Sequence, residues 1–171
     1  MKKLFFITAA ICIASVLNGQ TNPVDEMFNK YSEEEGFTAV YISGRMFSLF
    51  AGKGNENEEN IMRRLKGIRI LTVEDSSLNK SLNFYTELNR KLDLSVYEEL
   101  MVVKEKSEVT KFLIRQSGDI ITELLVVSGG TGGNVLISIK GDLDLKSLSE
   151  LSRSTGIDEL KELENIEKKV P

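Results

Sequence analysis

The chain has 171 residues, a net charge of −4 and no histidine, which removes the usual general base at neutral pH, the Ser-His-Asp mechanism and histidine-ligated metal centres. Its acidic excess, with basic residues interspersed among acids, excludes nucleic acid as a partner and disfavours an anionic membrane surface. Acid–base chemistry is left to Asp, Glu, Lys and Tyr, so an enzyme here would be a carboxylate-pair glycosidase or a Ser/Lys hydrolase, and the default expectation is a non-catalytic protein.

Lys2 and Lys3 lead into an apolar run from Leu4 to Leu17 that ends in Asn18-Gly19-Gln20. The run is too short for a permanent span and no second one follows, so residues 1–19 read as a removable secretory signal peptide and no permanent membrane anchor is expected. The residue before Cys12 is Ile11, where a lipoprotein signal carries Gly or Ala, so lipid attachment is not expected. Cleavage near Gly19 removes the only cysteine, leaving no disulfide, thiolate nucleophile or Cys-ligated metal. Losing Lys2 and Lys3 takes the net charge from −4 to −6. Residues 20–171 are long enough to bury one core without covalent staples. An exported protein follows, in the periplasm or outside the cell.

Asn22-Pro23 opens a helix, a capping side chain followed by proline in the first turn, with Val24, Met27, Phe28 and Tyr31 at helical spacing. The run Phe37 to Ile42 reads as a buried strand. A short apolar helix with Met46, Phe47, Leu49 and Phe50 follows and stops at Gly52-Lys53-Gly54. After the polar loop Asn55 to Asn60, a helix carrying Ile61, Met62 and Leu65 leads to a second strand, Ile68 to Val73. Strand, helix and strand predict a crossover with a parallel pair. Asp75, Ser76 and Ser77 cap one amphipathic helix whose stripe is Leu78, Leu82, Tyr85, Leu88 and Leu92.

From Tyr97 the period changes to that of strands, at Tyr97 to Glu105, Val109 to Gln116, Ile120 to Val127 and Val135 to Lys140, which predicts a four-stranded antiparallel meander. Ser117-Gly118-Asp119 is a tight hairpin connection and Ser128 to Asn134 a longer, looser one. Two closing helices carry Leu145, Leu148 and Leu151, then Ile157, Leu160, Leu163 and Ile166, separated by Ser154-Thr155-Gly156. The expected architecture is a single α+β domain with one mixed sheet and helices against one face.

The stretches Phe37 to Phe47, Gly67 to Leu71 and Val135 to Leu145 resemble domain-of-unknown-function family 4252, small uncharacterised exported proteins of Bacteroidota. The resemblance spans most of the mature chain. It implies a Gram-negative host, a periplasmic or envelope location and no catalytic residues to carry over. Members look like accessory envelope proteins, sometimes encoded near extracytoplasmic-function sigma factors. Some relatives are lipoproteins, from which the missing lipobox here departs.

Several constellations invite a chemical reading. Ser77-Leu78-Asn79-Lys80 has the Ser-x-x-Lys spacing of penicillin-recognising enzymes, but the companion motifs are missing and Ser77 reads more simply as a helix cap. Gly129 to Gly133 would cradle a phosphate only if it ran into a helix through Gly-Lys-Ser/Thr; here it runs into a strand. Asp142 and Asp144 do not continue as a calcium loop, and Asp144 reads as an N-cap. Glu56, Glu58 and Glu59 read as a solvated loop. No residue is assigned as catalytic, cofactor-binding or metal-ligating, and no cofactor is implied.

Met46 to Phe50 is either a core anchor or an apolar grip for a partner. The leading expectation is an exported interaction module of the cell envelope that takes another envelope protein or a peptide, by adding a strand at the exposed edge of the meander. The alternatives are a small-molecule or lipid carrier with a cavity lined by Phe47, Phe50, Phe84 and Tyr85, and a Ser/Lys hydrolase through Ser77 and Lys80.

Overall fold

The structure, a computed structural model, describes residues 22–50, 56–144, 146–148, 151 and 160. The expected signal peptide, Gly52-Lys53-Gly54, Ser154-Thr155-Gly156 and the residues Leu145, Ile157, Leu163 and Ile166 lie outside the described residues.

Helix α1, Pro23–Tyr31, starts as its sequence dictates: Val24 N–H donates to the Asn22 side chain at 3.0 Å, and proline fills the first turn. Strand β1, Phe37–Ser43, follows, then α2, Gly44–Phe50, and α3, Glu56–Arg64, and then β2, Leu65–Val73. Two short helices, α4 (Ser76–Ser81) and α5 (Phe84–Lys91), precede β3 (Glu98–Lys104), β4 (Glu108–Ser117), β5 (Ile120–Gly130) and β6 (Gly133–Leu143). The six strands form one sheet in the order β1-β2-β6-β5-β4-β3. The α+β class and the meander of β3 to β6 are as expected.

The sheet is antiparallel throughout, so the expected mixed sheet with a parallel β1–β2 pair is corrected. Ser43, the last residue of β1, pairs with Gly67 near the start of β2. The two helices between them therefore leave and return at the same end of the sheet, which makes a long hairpin and not a crossover. Gly44 allows this closure, because a Cβ there would stand 2.9 Å from the Leu65 carbonyl oxygen.

The expectation of helices on one face is also corrected. Consecutive residues of the central strands alternate between two apolar clusters. Leu71, Leu113, Leu125, Val127 and Leu136 pack with α1 and α5 through Val24, Met27, Phe28, Phe84 and Leu88. Ile68, Phe112, Ile114, Leu124, Val126, Ile137 and Ile139 pack on the opposite side with Ile61, Leu148, Leu151 and Leu160. Runs such as Phe112-Leu113-Ile114 and Leu124-Leu125-Val126-Val127 are apolar at every position, and a strand of that kind has to be covered on both faces. Full burial of each such side chain contributes about 1.5–3 kcal/mol.

The single amphipathic helix expected from Asp75 to Leu92 is two helices. Asp75 caps α4, while Leu82 and Asn83 are extended and the Asn83 side chain accepts from Thr86 N–H to start α5. The glycine-rich hairpin is tighter than expected. Gly129 and Gly130 continue β5, leaving Thr131-Gly132 as the connection to β6. A Cβ on Gly129 would lie 2.6 Å from the Tyr85 backbone nitrogen, and one on Gly130 would collide with the Ser107 carbonyl. Those two glycines are strand residues that let the backbones of α5 and of the β3–β4 turn approach. The other hairpin is as expected, with Gly118 at a φ of +61°.

Candidate functional site

On the face covered by α1, the cross-strand row Tyr41–Arg69–Ser138 runs from β1 through β2 to β6. The next row toward the sheet end is Ser43–Gly67–Lys140. Gly67 has no side chain, so the middle of this second row is hollow. The result is a pocket of about 510 Å³. Tyr41 and Ser43 form its β1 wall and Ser138 and Lys140 its β6 wall, while Lys66 and Arg69 come from β2. Met46, on the first turn of α2, closes one side. Tyr41 is 56% and Met46 48% exposed, so the mouth opens to solvent.

Three cations line this pocket in an acidic protein. Arg69 Nη2 lies 2.6 Å from Asp25 Oδ1 of α1, off hydrogen-bond alignment, and the guanidinium stacks over the Phe28 ring at 4.4 Å. Lys66 Nζ is 2.6 Å from Asp142 Oδ1. Lys140 forms no ion pair among the described residues.

A buried polar network adjoins the pocket. Glu123, fully buried, is the cross-strand partner of Lys140. Its carboxylate accepts from Tyr97 Oη at 2.9 Å, Arg115 Nη2 at 2.7 Å and Ser138 Oγ at 2.7 Å. Ser138 thus belongs to both the network and the pocket wall. Burial first, and then the adjacent Glu123 charge, push the Tyr97 hydroxyl pKa well above that of a free tyrosine. Tyr97 therefore stays a donor across the physiological range.

Beside the pocket, β1 is an edge strand. Its sequence, Phe37-Thr38-Ala39-Val40-Tyr41-Ile42-Ser43, holds no charge, proline or glycine, and its register with β2 is unbroken. Val40, Tyr41, Met46 and Leu49 are exposed along it and the following helix, Leu49 at 69%. The opposite edge, β3, is blunted by a register shift between Glu99 and Met101 and by exposed Glu98, Glu99 and Lys104.

A family described as a domain of unknown function (DUF4252) matches residues 31–151, which holds the whole sheet, the edge strand and the pocket. The chain belongs to this family. No curated protein and no solved structure matches it. Membership fixes no chemistry, so the functional argument rests on this chain's own geometry.

The Ser77 hydroxyl donates to Asp75 Oδ1, the cap of α4, and its backbone N–H does the same, so it serves the helix start. Asp144 is the expected cap, accepting from Ser147 N–H at 2.7 Å. Asp142 pairs with Lys66 and Asp144 with Arg64, so the two carboxylates are drawn to separate cations. Glu59 pairs with Arg63 one turn on; the side chains of Glu56 and Glu58 lie outside the described residues. The apolar cavity expected from Phe47, Phe50, Phe84 and Tyr85 is not assembled. Phe84 is fully buried with α1 on one face, Phe47 packs on the other, and the Phe50 side chain lies outside the described residues.

Sequence reading missed Lys66, Arg69 and Lys140. The available signal was cationic residues inside otherwise apolar strands, Leu65-Lys66-Gly67-Ile68-Arg69-Ile70 and Ser138-Ile139-Lys140. Only the strand register brings them to one place. Among the described residues no helix is long and apolar enough to cross a membrane, and no group of three or more His, Cys, Asp or Glu gathers.

Proposed function

We propose that this protein is an exported, non-catalytic interaction module of a Gram-negative cell envelope, and that it takes an extended segment of a partner envelope protein along β1. The observation that carries the reading is the character of that edge. Natural sheets protect an outer strand with charge, proline, bulges or brevity, and β1 has none of the first three over 7 residues. An unpaired, uncharged edge with exposed Val40 and Tyr41 suits β-augmentation, in which backbone hydrogen bonds supply affinity and alternate side chains supply specificity. The edge first expected from sequence, that of the meander, is β3, and its charges and bulge argue against it. The apolar run Leu4 to Leu17 after Lys2 and Lys3 supports export, and the absence of histidine throughout supports a binding role.

The test is site-specific photo-crosslinking in the native host, with a photoreactive residue at Val40 in one strain and at Lys104 in another. The expected result is a discrete adduct with an envelope protein from position 40 and none from position 104. Adducts from position 104 alone would move the interface to β3, and none from either would overturn the reading.

A further inference from the structure

We propose that the pocket beside β1 seats a carboxylate of the bound peptide, with Lys140 as its principal counter-charge and Lys66 and Arg69 flanking it. This rests on the β1 docking reading and names the chemical class of its ligand, an acidic extended peptide.

The cations on this stretch of sheet are Lys66, Arg69, Lys140 and Arg115. The facing carboxylates are Asp142, Asp25 and Glu123, each held by a partner: Asp142 by Lys66, Asp25 by Arg69, and Glu123 by Arg115 with two hydroxyls. One positive charge is left over, and it belongs to Lys140. A surplus cation in a chain of net charge −4, within a concave and partly apolar site, favours a monoanion that brings the local balance to zero.

Geometry supplies the second step. Neighbouring strands lie about 4.8 Å apart, so a strand added outside β1 places its inward side chains against Tyr41 and Ser43, the β1 wall of the pocket. Two such spacings, about 9.6 Å, separate that strand from Gly67, so the carboxylate sits over Ser43 and the Lys140 side chain from β6 extends across the hollow over Gly67 to meet it. The Ser43 hydroxyl adds a neutral donor, whereas the Ser138 hydroxyl proton is already given to Glu123. Met46 offers apolar contact for the methylenes next to the acid. A strand on the β3 edge would have no such seat, since β3, β4 and β5 separate it from the nearest pocket wall on β6.

The carboxylate has two sources, an acidic side chain or the peptide's own C-terminus, and the test separates them. Four acetylated seven-residue peptides of alternating valine and threonine are compared, with glutamate or glutamine next to last and with a free or amidated C-terminus. Affinity for the full exported chain is read by titration calorimetry at fixed ionic strength. The same protein is titrated with acetate against chloride, following the amide resonances of Gly67, Arg69, Ser138 and Lys140. The expected result is at least tenfold tighter binding of one acidic peptide than of the glutamine amide. Lys140→Met, with an unchanged circular dichroism spectrum, should abolish that difference while leaving the neutral peptide's affinity alone. Equal affinity for all four peptides overturns the carboxylate seat and leaves strand addition standing. Acetate shifts at Lys140 without peptide binding uphold the anion seat and overturn the strand reading. Absence of both peptide binding and acetate shifts overturns both readings, and an acidic preference untouched by Lys140→Met overturns the seat alone.

Discussion

The Tyr97 hydroxyl donates a 2.9 Å hydrogen bond to Glu123, a carboxylate with no solvent exposure, on the sheet face that carries the basic pocket. The same carboxylate is neutralised by Arg115, itself about a third exposed. Removing the cation leaves a buried charge, whereas removing the hydroxyl leaves one acceptor short. Arg115→Met should therefore cost about 2–3 kcal/mol and Tyr97→Phe about 1–2 kcal/mol, both measured by urea unfolding. Because the Tyr97 pKa is raised on folding, its contribution is complete below the unfolded value of 10.0 and declines as pH rises beyond it.

Asn134 joins three elements. Its Oδ1 accepts the Phe84 N–H at 2.8 Å and its Nδ2 faces Asn79 Oδ1 at 3.0 Å. It thereby fixes the start of α5 to the β5–β6 hairpin and to α4. Asn134→Ala leaves the buried Phe84 N–H without a partner and should cost about 2–3 kcal/mol in chemical denaturation. Asn134→Asp keeps the acceptor but turns its second oxygen toward the oxygens of Asn79, Leu82 and Gly130, so it should recover little near neutral pH and more as falling pH protonates it.

The two sides of the Thr131-Gly132 turn should respond differently to alanine. At Gly130 a Cβ meets the Ser107 carbonyl, rigid backbone, whereas at Gly132 it meets Glu108 Oε2, the end of a flexible side chain. Gly130→Ala should destabilise by at least about 2 kcal/mol, an overpacking cost, and Gly132→Ala by under about 1 kcal/mol. Thermal denaturation of the two variants side by side distinguishes them.

Lys30, Tyr31 and Glu87 clip α1 to α5, with Lys30 Nζ 2.9 Å from Glu87 Oε1 and Tyr31 Oη 2.8 Å from Oε2. Burial works to raise the Glu87 pKa, but the hydrogen bonds from Lys30 and Tyr31 outweigh it and leave the carboxyl below its ordinary 4.5. A depressed folded pKa gives stability that is present above the unfolded value and lost as pH falls through the folded one. Stability should fall below pH 4.5, and Glu87→Gln should flatten that part of the acid limb, leaving a loss of under about 1 kcal/mol at pH 7 for this half-exposed clip. Denaturation midpoints from pH 2 to 7 on the two proteins check it.

What the sequence made legible was local. Asn22-Pro23 and Asp144 announce helix starts through short-range capping, and Ser117-Gly118-Asp119 announces a hairpin through a residue that tolerates positive φ. What it hid depends on long-range register. The β1–β2 direction hinges on Ser43 meeting Gly67 across two intervening helices. The break at Leu82-Asn83 interrupts a continuous apolar stripe because Asn83 caps its own helix and sits against Gly129. The unbroken apolar runs of β4 and β5 did carry the sign of two buried faces, and strand period alone did not reveal which helices would cover each. Lys66, Arg69 and Lys140 look like ordinary solvated positions until β2 and β6 are set side by side.

β1 is an open edge in the free protein and is closed by the partner. Amide hydrogen exchange across residues 37–43, read in the purified protein and again in the complex isolated from the envelope, addresses it directly. The predicted result is alternating fast and slow amides along β1 in the free protein, with the fast set becoming slow in the complex. Uniform slow exchange in the purified protein, or fast amides that stay fast in the complex, would contradict it.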